Sequence, residues 1–114
     1  MKRLVPVALS LGAVIAFSGV AFAAGDASKG KTLYNANCMA CHGDAGDGQG
    51  PAAVALDPKP ADFTAAAFWE GRSNDELKTV IRTGKPGTTM APFPQLGDQD
   101  LDDVVAYLES FKTE

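Results

Sequence analysis

Two cysteines three positions apart, followed at once by a histidine, occur in this chain as Cys38-Met39-Ala40-Cys41-His42. That C-x-x-C-H spacing is the pattern for covalent attachment of a c-type haem. Two thiols so spaced at the end of a helix reach the two vinyl groups of one porphyrin and form thioethers. The adjacent His42 then offers its imidazole to the iron. These are the only cysteines and the only histidine in the 114 residues. Other uses of the motif fit less well. A Cys38–Cys41 disulfide closes a very short loop and stabilises little. A thioredoxin-like dithiol belongs beside a βαβ pattern, which the chain lacks. A zinc site needs further cysteine, histidine or carboxylate ligands.

A low-spin haem needs a second axial ligand, and a lone histidine rules out bis-histidine ligation within the chain. Three methionines are present. Met1 falls in the leader described below, and Met39 lies between the two thiols. Met90 remains, 48 residues after His42, in the Gly- and Pro-rich stretch Gly84–Phe93. Such a stretch favours a shaped loop, from which a thioether can reach an iron. A core-filling methionine is the plainer role for Met90; lysine, water or an open position are the other ligand choices.

The positioning elements are helical. A first helix is expected from a cap at Asp26 or Ser28 to about Cys38, with Gly30 and Tyr34 on one face. Ser73-Asn74-Asp75-Glu76 reads as a capping box. It opens a helix that buries Leu77, Val80 and Ile81 and stops at Gly84. A last helix begins near Asp98, with Leu101, Val104, Val105, Leu108 and Phe111 on its apolar face. Asp98, Asp100, Asp102 and Asp103 are expected to be solvated residues that suit the helix dipole. Short helical turns are expected near Ala52–Leu56 and Phe63–Phe68, and no period-2 strand is evident. The glycine-rich loop Gly43–Gly50 lacks the strand and spacing of a dinucleotide loop. Read as a calcium loop from Asp44, it has Ala55 where the bidentate glutamate belongs. It is expected to be a flexible turn that wraps the haem edge.

Residues 1–23 read as a secretory leader. Lys2 and Arg3 precede an apolar run from Val7 to Val20, and Ala21-Phe22-Ala23 is a cleavage site, so the mature chain starts at Ala24. An uncleaved anchor is the alternative. Residues 24–114 then form one small domain outside the cytoplasm, with a porphyrin supplying much of its core. Without Lys2 and Arg3 the chain has 8 basic and 14 acidic residues, a net −6. That charge argues against nucleic-acid binding and against docking on anionic lipid. It favours redox partners with basic docking patches.

The haem motif together with the Gly-Thr-x-Met string Gly87–Met90 resembles the small, monohaem class I c-type cytochromes, over Gly25–Phe111. The resemblance implies an all-α wrap around one haem with N- and C-terminal helices crossing, so that Gly30 and Tyr34 meet Val104 and Tyr107. It implies that Pro51 offers its carbonyl to the His42 imidazole, a contact that fixes the ring and tunes the iron. It further implies a propionate-bonding role for Trp69, beside the alternative of an aromatic packed on the haem. The chain lacks the lysine-rich face of the mitochondrial members. With His42 and Met90 as axial ligands, inner-sphere catalysis is disfavoured. The expected role is a monomeric periplasmic electron carrier, not an enzyme, exchanging with donor and acceptor proteins. The rivals are a subunit of a larger oxidase or dehydrogenase, and a haem sensor or catalyst with a labile Met90.

Overall fold

The computed structural model describes residues 25–113, together with 2–8, 10, 12 and 13. The cleavage site Ala21-Phe22-Ala23, the start at Ala24 and most of the leader's apolar run lie outside the described residues. Among the described residues five helices follow one another: α1 (Ala27–Asn37), α2 (Met39–His42), α3 (Ala66–Trp69), α4 (Asn74–Thr83) and α5 (Asp98–Glu109), with a 3-10 turn at Ala53–Ala55 between α2 and α3. Among the described residues there is no strand, and no helix is long and apolar enough to cross a membrane.

Each long helix starts where its capping chemistry says. The Asp26 carboxylate accepts from the N–H groups of Ser28 and Lys29 at 2.9 and 3.3 Å, satisfying amides that have no partner inside the helix. Ser73 Oγ accepts from Glu76 N at 3.2 Å at the head of α4, and Gly84, at φ 76°, ends it. At α5 the Asp100 carboxylate accepts from Gly97 N at 3.0 Å.

The core forms where α1 packs on α5. Tyr34, Leu101 and Val104 are fully buried there, with Val105 and Leu108 beside them. The crossing is close enough to bring backbones together. A Cβ on Gly30 would lie 1.9 Å from the Asp103 carbonyl oxygen and 2.9 Å from Tyr107 Cβ. Tyr34 meets Tyr107 edge-on at 5.2 Å and Phe111 at 5.4 Å, the offset geometry that aromatic quadrupoles prefer.

Asp103 departs from expectation. It is 3% exposed, not solvated. Its Oδ1 accepts from Asp26 N at 2.8 Å and Gln99 Nε2 at 3.0 Å. Those donors hold its carboxyl below the usual carboxylate range. Asp26 therefore caps α1 with its side chain and fastens α1 to α5 with its amide. Asp102 also has a partner, in an ion pair with Lys78 of α4.

Candidate functional site: an apolar cavity between two walls

The sequence interrupts its first helix at Cys38, where φ is −121°. The chain resumes as α2, which carries the rest of the motif, a break the spacing alone did not indicate. His42 N still bonds Cys38 O at 3.0 Å, so the two thiols and the imidazole sit on one short turn. Gly43, at φ 87°, ends it. The Gly43–Gly50 loop then folds back on α2. Gly48 N bonds His42 O at 2.8 Å, Gly50 N bonds Cys41 O at 3.0 Å, and Ala52 N bonds Ala40 O at 2.9 Å. These bonds satisfy carbonyls that so short a helix leaves free. Gly50 must be glycine, because a Cβ there would lie 2.4 Å from Ala40 O. The loop is thus a buttress behind the motif. It does not wrap the cavity edge as expected; none of its residues lines the cavity. The buried Tyr34 hydroxyl donates to Gly43 O at 2.5 Å and ties this end of α2 to α1.

Cys38, Cys41, His42 and Met90 line one cavity of about 330 Å³, whose remaining wall is largely apolar and includes Phe63, Phe68 and Ile81. Cys38 and Met90, 52 positions apart in sequence, are brought together there. His42 Nδ1 lies 3.1 Å from the Ala61 carbonyl oxygen. A carbonyl only accepts, so Nδ1 carries the proton and Nε2 keeps its lone pair. Burial lowers the His42 pKa, opposed by the Ala61 bond, and so favours the neutral, ligating form. The ring stacks on Phe63 with centroids 4.6 Å apart. The orienting carbonyl is therefore Ala61's and not that of Pro51, which is exposed and outside the cavity lining. Two prolines, Pro58 and Pro60, lead into Ala61, and proline holds the residue before it extended.

Cys38 and Cys41 are free, half-buried thiols. Burial, and Cys41 beside it, push the Cys38 thiol up to about 11. A thiol–disulfide catalyst needs the opposite, a depressed pKa. Zinc also fails: among the described residues no three His, Cys, Asp or Glu side chains gather into a metal site.

Met90 comes from the loop after α4, which its own backbone closes. Lys85 N bonds Met90 O at 3.2 Å, and Phe93 N bonds Ile81 O at 3.0 Å. Thr88 sits at the centre. Its hydroxyl donates to Lys85 O at 2.7 Å and accepts from Met90 N at 3.1 Å. Gly84 lets the strap pass, since a Cβ there would lie 2.8 Å from Met90 O.

Trp69 does not line the cavity. Its indole N–H donates to Phe63 O at 2.8 Å, and its ring meets Phe68 edge-on at 5.1 Å. Its N–H is committed to backbone, so Trp69 supports the two aromatic residues of the wall instead of offering a donor to a propionate. Ala61, Phe63 and Phe68 went unread in the sequence as site residues. The proline pair before Ala61 and the aromatic spacing through Phe68-Trp69 were the available signals.

The sequence profile of the family described as Cytochrome c matches residues 27–112. The chain belongs to the cytochrome c family. Cytochrome c-554(547) of Halothiobacillus neapolitanus is 39% identical over 92 residues, covering 78% of this chain and 100% of that protein. Cytochrome c6 of a Picosynechococcus species is 32% identical over 109 residues, covering 95% of this chain and 92% of its own. The cbb3-type cytochrome c oxidase subunit CcoP of an Azospirillum species is 33% identical over 98 residues, 85% of this chain but only 32% of that subunit. A chain of the Kuenenia stuttgartiensis reducing HAO-like protein complex superposes with a TM-score of 0.70 at 30% identity, over 76% of this chain and 43% of that one. The cytochrome is an electron-transfer protein of the c type, and membership implies a covalently held haem c. The free thiol pair, the Nε2 lone pair and the apolar cavity fit that group.

Proposed function

We propose that this cytochrome is an exported, periplasmic one-electron carrier whose haem is joined through Cys38 and Cys41 and ligated by His42 and Met90. The observation that carries the reading is the convergence of those four side chains on one apolar cavity. When bound, haem c supplies an iron that cycles between ferrous and ferric states.

The protein's part is attachment, orientation and exclusion. Cys38 and Cys41 hold the group against dissociation. Ala61 fixes the His42 tautomer and aims Nε2. The strap around Thr88 holds Met90 ready, so the ligand set need not rearrange between oxidation states. Phe63, Phe68 and Ile81 keep water from the group. A soft thioether in such surroundings favours the ferrous state and raises the potential. With His42 and Met90 both holding it, the iron would offer no open position to a substrate.

A reduced-minus-oxidised absorption spectrum of the exported protein tests all of this together. A six-coordinate c-type spectrum that Met90→Ala converts to an open or water-bound one supports the assignment. An unchanged ligand-field spectrum in Met90→Ala removes the methionine from the site. Tight carbon monoxide binding without denaturant would favour a sensor or catalyst instead.

The match to one third of an oxidase subunit supports a second reading, in which the domain serves as a fixed relay inside a larger complex. Size-exclusion of the native extract separates the two. A carrier elutes as a small free protein and a relay with its complex.

A further inference from the structure

Ala61 holds His42 at one atom only. The 3.1 Å contact with the Ala61 carbonyl fixes where Nδ1 points, but a hydrogen bond tolerates some tilt of the donor ring. The last torsion of a histidine is broad and supplies no narrow well of its own. The plane of the imidazole therefore needs a second constraint, and it comes from two residues further along. The Phe63 ring lies 4.6 Å from the imidazole, centroid to centroid, with 24° between the planes. A tilt of the imidazole drives its edge into that flat face.

Phe63 is pinned more firmly than a core-filling side chain requires. It is 6% exposed. Its N–H donates to Gly46 O at 2.7 Å, and its carbonyl accepts the Trp69 indole N–H at 2.8 Å. The chain's single tryptophan thus spends its donor on this residue, although it does not itself line the cavity. The Phe111 ring runs nearly parallel to that of Phe63, at 6.4 Å and 18°. Phe111 in turn lies against Gly46, where a Cβ would come within 2.6 Å of it. Between Ala61 and Phe63, the Asp62 carboxylate accepts from Thr64 N and Oγ1 at 2.9 and 2.5 Å. One pinned segment therefore presents both the carbonyl and the flat ring to His42.

We propose that Phe63 is a positioning residue that sets the rotation of the His42 imidazole, and that Trp69 is the clamp that keeps Phe63 in place. The proposal rests on His42 as an axial ligand and adds the residues that choose its plane. A flat ligand donates unequally to the iron orbitals along and across its plane. The plane thus decides how unpaired spin is shared among the pyrroles of a ferric haem. A plane that cannot turn also leaves less to rearrange when an electron arrives.

The test uses the haem-loaded ferric protein with cyanide bound opposite His42. Cyanide is cylindrical about its axis, so the proton resonances of the haem ring methyls then report the His42 plane alone, whatever the role of Met90. Phe63→Leu keeps an apolar side chain and removes the flat face; it should change the order of those resonances. Trp69→Phe keeps an aromatic ring and removes the N–H; it should move the same resonances in the same sense, by less. Gly30→Ala strains the α1–α5 crossing and should lower the denaturant midpoint while keeping the parent order. A Phe63 that only fills space would lower the midpoint in the same way and leave the order unchanged, a result that overturns the proposal. A changed order in Gly30→Ala overturns it too. If Phe63→Leu acquires no haem, Trp69→Phe decides: parent resonances there, or loss of haem there as well, overturn the proposal. Parent resonances in Trp69→Phe beside a changed order in Phe63→Leu overturn the clamp and support the positioning. A parent protein with a c-type spectrum and an order that Phe63→Leu leaves unmoved keeps the carrier reading standing. A parent that acquires no haem overturns both.

Discussion

The two walls of the cavity are built on different plans. The wall of Cys38, Cys41 and His42 is backed by glycines packed against carbonyls, by three backbone bonds from the loop behind it and by a buried tyrosine. The wall of Met90 is a strap closed by a handful of bonds, two of them through the one hydroxyl of Thr88. The first is anchored to the α1–α5 core; the second hangs from the end of α4. The thiols that would carry permanent attachment fall on the rigid side, and Met90, the axial ligand proposed above, falls on the light one. Local opening belongs to segments with few buried contacts and solvent-reachable backbone bonds.

The largest test of that contrast is removal of the attachment chemistry. Cys41→Ala should abolish two-point attachment and nearly eliminate the haem-stained band on a denaturing gel, whereas Met90→Ala should leave that band intact and change only the axial spectrum. A similar band in both variants would erase the distinction between the walls.

Gly30→Ala comes next. A methyl group driven into the Asp103 carbonyl has no flexible neighbour to displace. Overpacking of this kind costs about 1–3 kcal/mol, read as a lowered denaturant midpoint of the haem-loaded protein. Gly87→Ala, on the strap, meets nothing within 4 Å; it should lose only the smaller amount due to its φ of 77°.

Thr88→Val tests the light wall alone. It removes both hydroxyl bonds while keeping the shape, at a cost of about 1–2 kcal/mol. Imidazole should then displace the methionine from the ferric protein roughly tenfold faster, since about 1.4 kcal/mol is a factor of ten in rate. Thr88→Ser should restore the original rate. Equal rates in all three proteins would show that the strap does not hold Met90.

The smallest effect is the acid response of the α1–α5 clasp. Asp103 has a folded-state pKa below its ordinary 3.8. Its contribution is therefore present above pH 3.8 and is lost as pH falls through the lower folded value. The stability gap between the protein and Asp103→Asn should be constant near neutrality and shrink below about pH 3.8. A gap that shrinks between pH 5 and 7 would place the effect on another group.

What the sequence made legible follows a physical pattern. Side-chain chemistry that names itself was readable. The thiol pair with His42, the caps at Asp26 and Ser73, and the apolar rows of α4 and α5 each depend on residue type at fixed spacing. Backbone roles were not readable that way. Any residue has a carbonyl, so nothing in Pro51 or Ala61 says which one meets His42. The decision lies in how the Pro58–Ala61 segment runs past the ring. Asp103 looked like its three neighbours because its burial comes from the close approach of α1 at Gly30, a tertiary fact. Trp69 was recognisable as important but not as a support, because its indole partner is again a carbonyl.

The crossing of α1 on α5 also joins distant parts of the chain. Tyr34 and Gly30 find their counterpart surface only in the last quarter of the polypeptide. Without that closing segment, the helix that leads into Cys38 loses the helix it lies against. The segment that carries the thiols thus depends on the far end of the chain, and the C-terminal helix acts as its latch.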